Sequence, residues 1–172
     1  MFAANHRSFY DIILAYAVIA SAGVQVAFVS KIELKRVPMI AQWMYFLNCL
    51  FTDRGDMKQN MGVILNAIAL VKEGYSIYIA PEGTRNATDT LLPFKEGSMK
   101  IAAKTNAPIV PVCIKNTENI LENHLPWVRG GHISIEFGKP LYVETLDKEE
   151  KKHIGSRVQQ MVQEMYDKKE IV

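Results

Sequence analysis

Residues 12 to 30, IILAYAVIASAGVQVAFVS, carry no charged side chain. How this run folds decides whether the chain crosses a bilayer or builds a sheet, because a spanning helix needs about 20 consecutive apolar residues. Its interior breaks at Ser21-Ala22-Gly23, and the part that follows, VQVAFVS, alternates and is rich in valine. A small-residue break followed by a β-branched alternating stretch predicts a helix, a turn and a buried strand in place of one spanning helix. No other stretch approaches spanning length.

The rest of the chain repeats the same alternation. KIELKRVP is polar and ends at Pro38, which predicts a short turn, and MIAQWMYFLNCLF predicts an apolar helix running into a strand near Leu50 to Thr52. Residues 57 to 73 place Met61, Ile64, Leu65, Ile68 and Val71 at helical spacing, an amphipathic helix ending at Gly74. YSIYIAPEG then predicts a strand and a turn, with a helix around Ser98 to Thr105, a strand at PIVPVCI and another at HISIEFG. An amphipathic helix is expected from about Leu146 to Lys168, its stripe of Ile154, Val158, Met161, Val162 and Met165 facing a core, or else a bilayer. Strands alternating with helices indicate an α/β domain, a mostly parallel central sheet flanked by helices, with polar motifs gathered at strand ends.

Of the 172 residues, 49% are hydrophobic and 22% charged, enough for a single domain over 1–172 with one core. Lys and Arg number 20 against 18 Asp and Glu, a net +2 that gives no indication of nucleic acid as a partner. Cys49 and Cys113 lie in apolar stretches and match no metal spacing, so no metal is expected, and buried free thiols imply a cytoplasmic setting. No basic start followed by an apolar stretch and a cleavage site is present, so no signal peptide is expected.

Chemistry enters at three places. In AANHRSFYDI, His6 and Asp11 would sit about 140° apart on one continuous helix, so His6 is expected in the loop before the helix, with Asp11 folding back from its first turn. A carboxylate on one ring nitrogen fixes the tautomer and leaves the other nitrogen to take a proton from a hydroxyl. The alternative is a His and an Asp that only cap a helix start. Arg54 in FTDRGD could hold a phosphate in two bonds, or form an ordinary surface ion pair with its neighbouring carboxylates. APEGTRN leaves a strand through Pro81 and Gly83, putting Thr84 and Arg85 at a tight turn suited to an anion, or simply exposed. Glu82 repels phosphate and is expected to hold an arginine or a hydroxyl. No G-x-S-x-G serine and no polar-set cysteine completes a nucleophilic triad.

In this order, NHRSFYD, FTDR, PEGTR and APIVPV resemble the four blocks of the glycerolipid acyltransferase family, specifically the 1-acylglycerol-3-phosphate O-acyltransferases. The resemblance covers residues 3 to 112, with KIEL, Pro38 and LLPFKEGSMKIA agreeing between the blocks. It implies the glycerolipid acyltransferase fold and an enzyme that moves a fatty acyl group from an acyl thioester to the free hydroxyl of lysophosphatidic acid, giving phosphatidic acid. His6 would be the general base and Asp11 its orienting group, with no covalent acyl-enzyme. Arg54 and the segment Glu82, Gly83, Thr84 and Arg85 would bind the acceptor's phosphate, and Pro111 would shape the floor of the site.

No cofactor is implied beyond acyl-CoA or acyl carrier protein thioester as co-substrate, and the expected place is the inner face of the membrane, peripherally bound. Two other functions share the motifs, a lipid or phosphate-binding module without turnover and a thioesterase in which His6 activates water. Ala80 stands where the family often has phenylalanine, Ala41 where glycine is common, and five residues precede His6 where the family usually has tens.

Overall fold

The computed structural model describes residues 1–53, 55–86, 88 and 90–168. The uncharged run resolves into α1 (Tyr10–Ser21), a turn, and β2 (Val26–Lys31). Gly23, at φ 74°, ends α1: its N–H donates to Ala20 O at 2.9 Å and the Val24 N–H to Ile19 O at 3.3 Å. This pair of hydrogen bonds is that of a glycine-terminated helix, and it satisfies carbonyls that a longer helix would have used. No helix among the described residues is long and apolar enough to cross a membrane.

Before this hairpin lies β1 (Phe2–Ala4), and after it come α2 (Ile40–Phe46), β3 (Leu50–Thr52), α3 (Met57–Lys72) and β4 (Ser76–Ile79). The remaining elements are α4 (Glu96–Thr105), β5 (Val110–Lys115), β6 (Ser134–Phe137) and α5 (Ile154–Asp167). KIELKR is a 3-10 helix over Ile32–Arg36 where a simple turn was expected. The strands form one sheet in the order β3-β2-β4-β1-β5-β6, parallel throughout except for the antiparallel β5/β6 pair. The expected mostly parallel α/β fold is what the chain adopts.

Side-chain alternation along the strands sorts the core into two layers. Ala4, Val26, Phe28, Tyr78, Val112 and Ile114 pack with Ala15 and Ile19 of α1 and Met44 of α2. The opposite face, with Ala3, Ala27, Ile77 and Cys113, is covered by α3, α4 and α5. Consequently β1 hands its chain to α1 on one face, whereas β4, its neighbour in the sheet, hands its chain to α4 on the other. Adjacent parallel strands whose connections leave on opposite faces open a crevice at their carboxyl ends.

Two sequence expectations change in detail. On α3, Ile64, Ile68 and Val71 pack on the core around buried Ala67, but Met61 and Leu65 are exposed. With Met57 they form a separate row at four-residue spacing beside the buried one, and the small Ala67, not a large residue, is the fully buried residue of the packed face. The closing helix starts at Ile154, not near Leu146. Asp147 and Glu150 cap each other reciprocally, Asp147 N–H to Glu150 Oε2 at 3.0 Å and Glu150 N–H to Asp147 Oδ1 at 2.7 Å, but the result is one 3-10 turn over Glu150–Lys152. The cap of α5 comes from elsewhere: the Glu96 carboxylate on α4 accepts the N–H groups of Gly155 and Ser156. Ile154, Val158, Val162 and Met165 are buried, so this stripe faces the core.

Candidate active site

At the carboxyl ends of β1, β2 and β4 lies a cleft of about 590 Å³, lined on one side by His6, Asp11 and Ile12 and on the other by Ile64 and Ile101, with Ala80 between. Asn5 builds the entrance. As β1 ends, the buried Asn5 side chain continues its ladder with β5, donating to Ile114 O at 2.8 Å and accepting the Ile114 N–H at 2.7 Å. The side chain replaces the backbone in the sheet, which frees the main chain to turn away and present His6.

His6 is held at three points. Its N–H donates to Glu82 Oε1 at 2.8 Å, its carbonyl accepts the Asn86 N–H at 2.8 Å, and its Nδ1 lies 2.9 Å from Asp11 Oδ2. A carboxylate can only accept, so Nδ1 carries a proton, and in the neutral ring it is Nε2, with no protein partner among the described residues, that presents the lone pair. Asp11 is itself buried, and the same Oδ2 accepts the N–H groups of Arg7 at 2.6 Å and Ser8 at 2.9 Å, while Oδ1 accepts from Thr117 Oγ1 at 2.5 Å. The oxygen that orients the imidazole thus also fixes the Arg7-Ser8 turn ahead of α1, whose own N-cap, Phe9, makes no side-chain cap.

Around the turn after β4, Gly83 adopts φ 73° and donates to Ala80 O at 3.0 Å, and Gly83, Thr84 and Arg85 all line the cleft. The Arg85 guanidinium stacks on the Phe9 ring at 4.0 Å and reaches Glu122 Oε1 at 3.2 Å. Burial pushes the Glu122 carboxyl up, but the Ser8 hydroxyl, the Phe9 N–H and Arg85 outweigh it and hold it below its usual range. Burial, then the Asp11 carboxylate, push the Tyr78 phenol up, so it stays neutral. The hydroxyls of Tyr78 and Ser30, both buried and both of cleft-lining residues, have no partner among the described residues.

Two expected site residues do not reach the cleft. Glu82 is 4% exposed and holds neither an arginine nor a hydroxyl. Its oxygens accept the N–H groups of His6 and Leu92 and the Asn86 side-chain amide, so the residue ties the two motif loops together from beneath. Pro111 on β5 pairs with Ala3 of β1, but alternation puts Val112 and Ile114 on the α1 face and Pro111 on the other. There its ring lies against Gly138 beside Met165, away from the expected floor. Arg54 lies outside the described residues. Thr117 and Glu122, more than 100 positions from the motif they support, carried no local signal. No group of three or more His, Cys, Asp or Glu among the described residues could hold a metal ion.

A histidine-aspartate pair at the strand ends of a parallel sheet, beside a glycine turn and cations, defines a site suited to activating a hydroxyl for group transfer. The chain belongs to the acyltransferase family, whose model matches residues 1–115. A chloroplastic 1-acyl-sn-glycerol-3-phosphate acyltransferase of Brassica napus is 32% identical over 148 residues, 86% of this chain and 42% of that protein. The 1-acyl-sn-glycerol-3-phosphate acyltransferase of Escherichia coli (strain K12) is 27% identical over 165 residues, 95% of this chain and 65% of that one. The crystal structure of the 1-acyl-sn-glycerophosphate (LPA) acyltransferase PlsC from Thermotoga maritima superposes with a TM-score of 0.78 at 28% identity, over 96% of this chain and 64% of that one. The chain therefore spans less than two thirds of the length of each of these relatives.

Proposed function

We propose that the chain transfers a fatty acyl group from an acyl thioester to the free hydroxyl of lysophosphatidic acid, giving phosphatidic acid. The observation that carries this reading is the oriented His6 imidazole, its Nδ1 held by buried Asp11 and its Nε2 left to act as base. The relatives' names, all 1-acyl-sn-glycerol-3-phosphate or glycerophosphate acyltransferases, support the acceptor. Nε2 takes the hydroxyl proton as the oxygen forms its bond to the thioester carbonyl carbon. Asp11 stabilises the resulting imidazolium. The tetrahedral intermediate collapses with cleavage of the carbon-sulfur bond, and the thiolate of coenzyme A or acyl carrier protein leaves with the proton returned by His6. No acyl-enzyme forms and no cofactor is needed.

Thr84 and Arg85 bind the acceptor's phosphate, with Arg54 as a further cation. Glu82 serves this segment indirectly, by fixing the loops that present it. The lysophosphatidic acid reaches the cleft from a membrane surface, at the inner face, on which the chain sits peripherally. The exposed apolar side chains of Phe9 just before α1, Ile13 on α1, and Trp43 and Phe46 on α2 support such contact. Labelled acyl thioester and lysophosphatidic acid incubated with the chain in detergent micelles yield labelled phosphatidic acid. His6→Ala lowers turnover by about 10² to 10⁴ with an unchanged circular dichroism spectrum. Release of free fatty acid in place of phosphatidic acid points to a thioesterase, and full activity in His6→Ala refutes the general-base role.

A further inference from the structure

Lys95, the residue before α4 in the segment PFKEG, has no place in the reading above. Its backbone N–H donates to Pro81 O at 3.1 Å, which lays the start of α4 against the turn after β4. From there the side chain crosses directly over Gly83. A methyl group built on Gly83 would stand 2.6 Å from Lys95 Nζ and 3.1 Å from its Cε. The glycine therefore does two things: it accepts φ 73°, and it leaves the space the ammonium occupies.

This ammonium lines the cleft together with Gly83, Thr84 and Arg85, and it has no ion pair or hydrogen bond among the described residues. The carboxylate nearest in sequence to the turn, Glu82, is buried, with both oxygens already accepting N–H groups. Arg85 differs: it is engaged by Glu122 and stacked on Phe9. Of the two cations flanking this turn, Lys95 is the one without a protein counterion.

We infer that Lys95 is a phosphate ligand of the cleft, held over Gly83 to share a phosphate ester with Thr84 and Arg85. The inference rests on the phosphate reading of Arg85 and extends it to a residue outside the PEGTR segment. A compact ammonium with three donors suits a phosphate dianion, and a charge-assisted bond is the stronger kind. The phosphate can come from the acceptor's headgroup or from the donor's pantetheine or nucleotide phosphates. The chemistry is the same, and the two sources are separable.

The test titrates sn-glycerol 3-phosphate, and in a second arm coenzyme A, into the full chain and its Lys95→Gln, Lys95→Arg and Arg85→Ala variants by calorimetry. Lys95→Gln is expected to weaken binding about tenfold or more, and Lys95→Arg to stay within about threefold, the range of one charge-assisted bond at 1.4 kcal/mol per decade. Loss in the first arm assigns the acceptor's phosphate, and loss in the second the donor's. In the acylation assay, loss in the first arm goes with a raised KM for lysophosphatidic acid and a near-constant kcat, while monoacylglycerol, which lacks the phosphate, is unaffected. Lys95→Gln binding both ligands within twofold of the parent, or a parent that binds neither, overturns the inference. Weakening by Arg85→Ala without weakening by Lys95→Gln overturns the inference and leaves the proposed function standing. Lys95-dependent binding in a chain that makes no phosphatidic acid does the reverse.

Discussion

Replacing Asp11 separates the two tasks its carboxylate performs. In Asp11→Ala the buried N–H groups of Arg7 and Ser8 lose their acceptor, the Thr117 hydroxyl loses its partner, and His6 loses its anchor. Leaving two buried backbone donors unpaired costs about 1–3 kcal/mol each, or about 2–6 kcal/mol together. Against a total stability of about 5–15 kcal/mol this is a large fraction. For a chain of this size each kcal/mol moves Tm by about 2–4 °C, so a fall of roughly 10 °C is expected. Asp11→Asn has a different outcome. Its amide oxygen can occupy the place of Oδ2 and keep the bonds from Arg7, Ser8 and His6, while its NH₂ faces Thr117 Oγ1, which can turn a lone pair toward it. The fold is then kept, and what disappears is the charge that stabilises the imidazolium. Thermal melts followed by circular dichroism, paired with acyl-transfer rates on the same preparations, read both quantities. Asp11→Asn is expected within about 3 °C of the parent Tm but slower by about 10² or more. An Asp11→Ala protein melting with the parent refutes the structural argument, and a fully active Asp11→Asn protein refutes the catalytic one.

Three further outcomes follow from particular contacts. A Cβ on Gly155 would lie 2.9 Å from both the Phe94 carbonyl oxygen and the Glu96 carboxylate that caps α5, so Gly155→Ala should cost about 1–3 kcal/mol, and an unchanged Tm contradicts this packing. Tyr78→Phe removes a buried hydroxyl without a partner and keeps the ring 4.8 Å from Phe28, so stability should rise by about 1 kcal/mol, and a lower denaturation midpoint would falsify the orphan assignment. Burial pushes the Cys113 thiol up to about 12. Its thiolate fraction at pH 8 is then roughly 10⁻⁴, and iodoacetamide should modify it in the native chain at least about 10³ times more slowly than in urea. Rapid native labelling, located by mass spectrometry, contradicts that environment.

Much of the molecule was legible because its signals are local. The break at Ser21-Ala22-Gly23 excluded a spanning helix, since the hydrogen bonds that end α1 involve residues within five positions of one another. The strand and helix periods identified the parallel α/β class, and His6 with Asp11 was recognisable because a pair five residues apart can close on itself at a helix start. Where local pattern and packing disagree, packing prevailed. Met61 and Leu65 fit a helical stripe yet face outward, because α3 meets α4 and the sheet through Ile64, Ala67, Ile68 and Val71. The Asp147-Glu150 capping box formed and still started no long helix, because the Glu96 carboxylate that receives the first amides of α5 lies about 60 residues away.

The sequence by itself determined the alternation of helix and strand from α1 onward, the sheet class and the imidazole-carboxylate pair, all set by neighbours along the chain. Only the tertiary structure decided which charged residues face the cleft. Glu82, inside the PEGTR motif, turns inward to hold three N–H groups, and Pro111 falls on the wrong face by the two-residue alternation of β5. Lys95, outside the four blocks, arrives over Gly83 because its own N–H, just ahead of α4, donates to the Pro81 carbonyl. The physical reason is that the direction of a charged side chain follows from which buried donors and acceptors it must satisfy, and those partners come from distant segments that only the folded chain brings together.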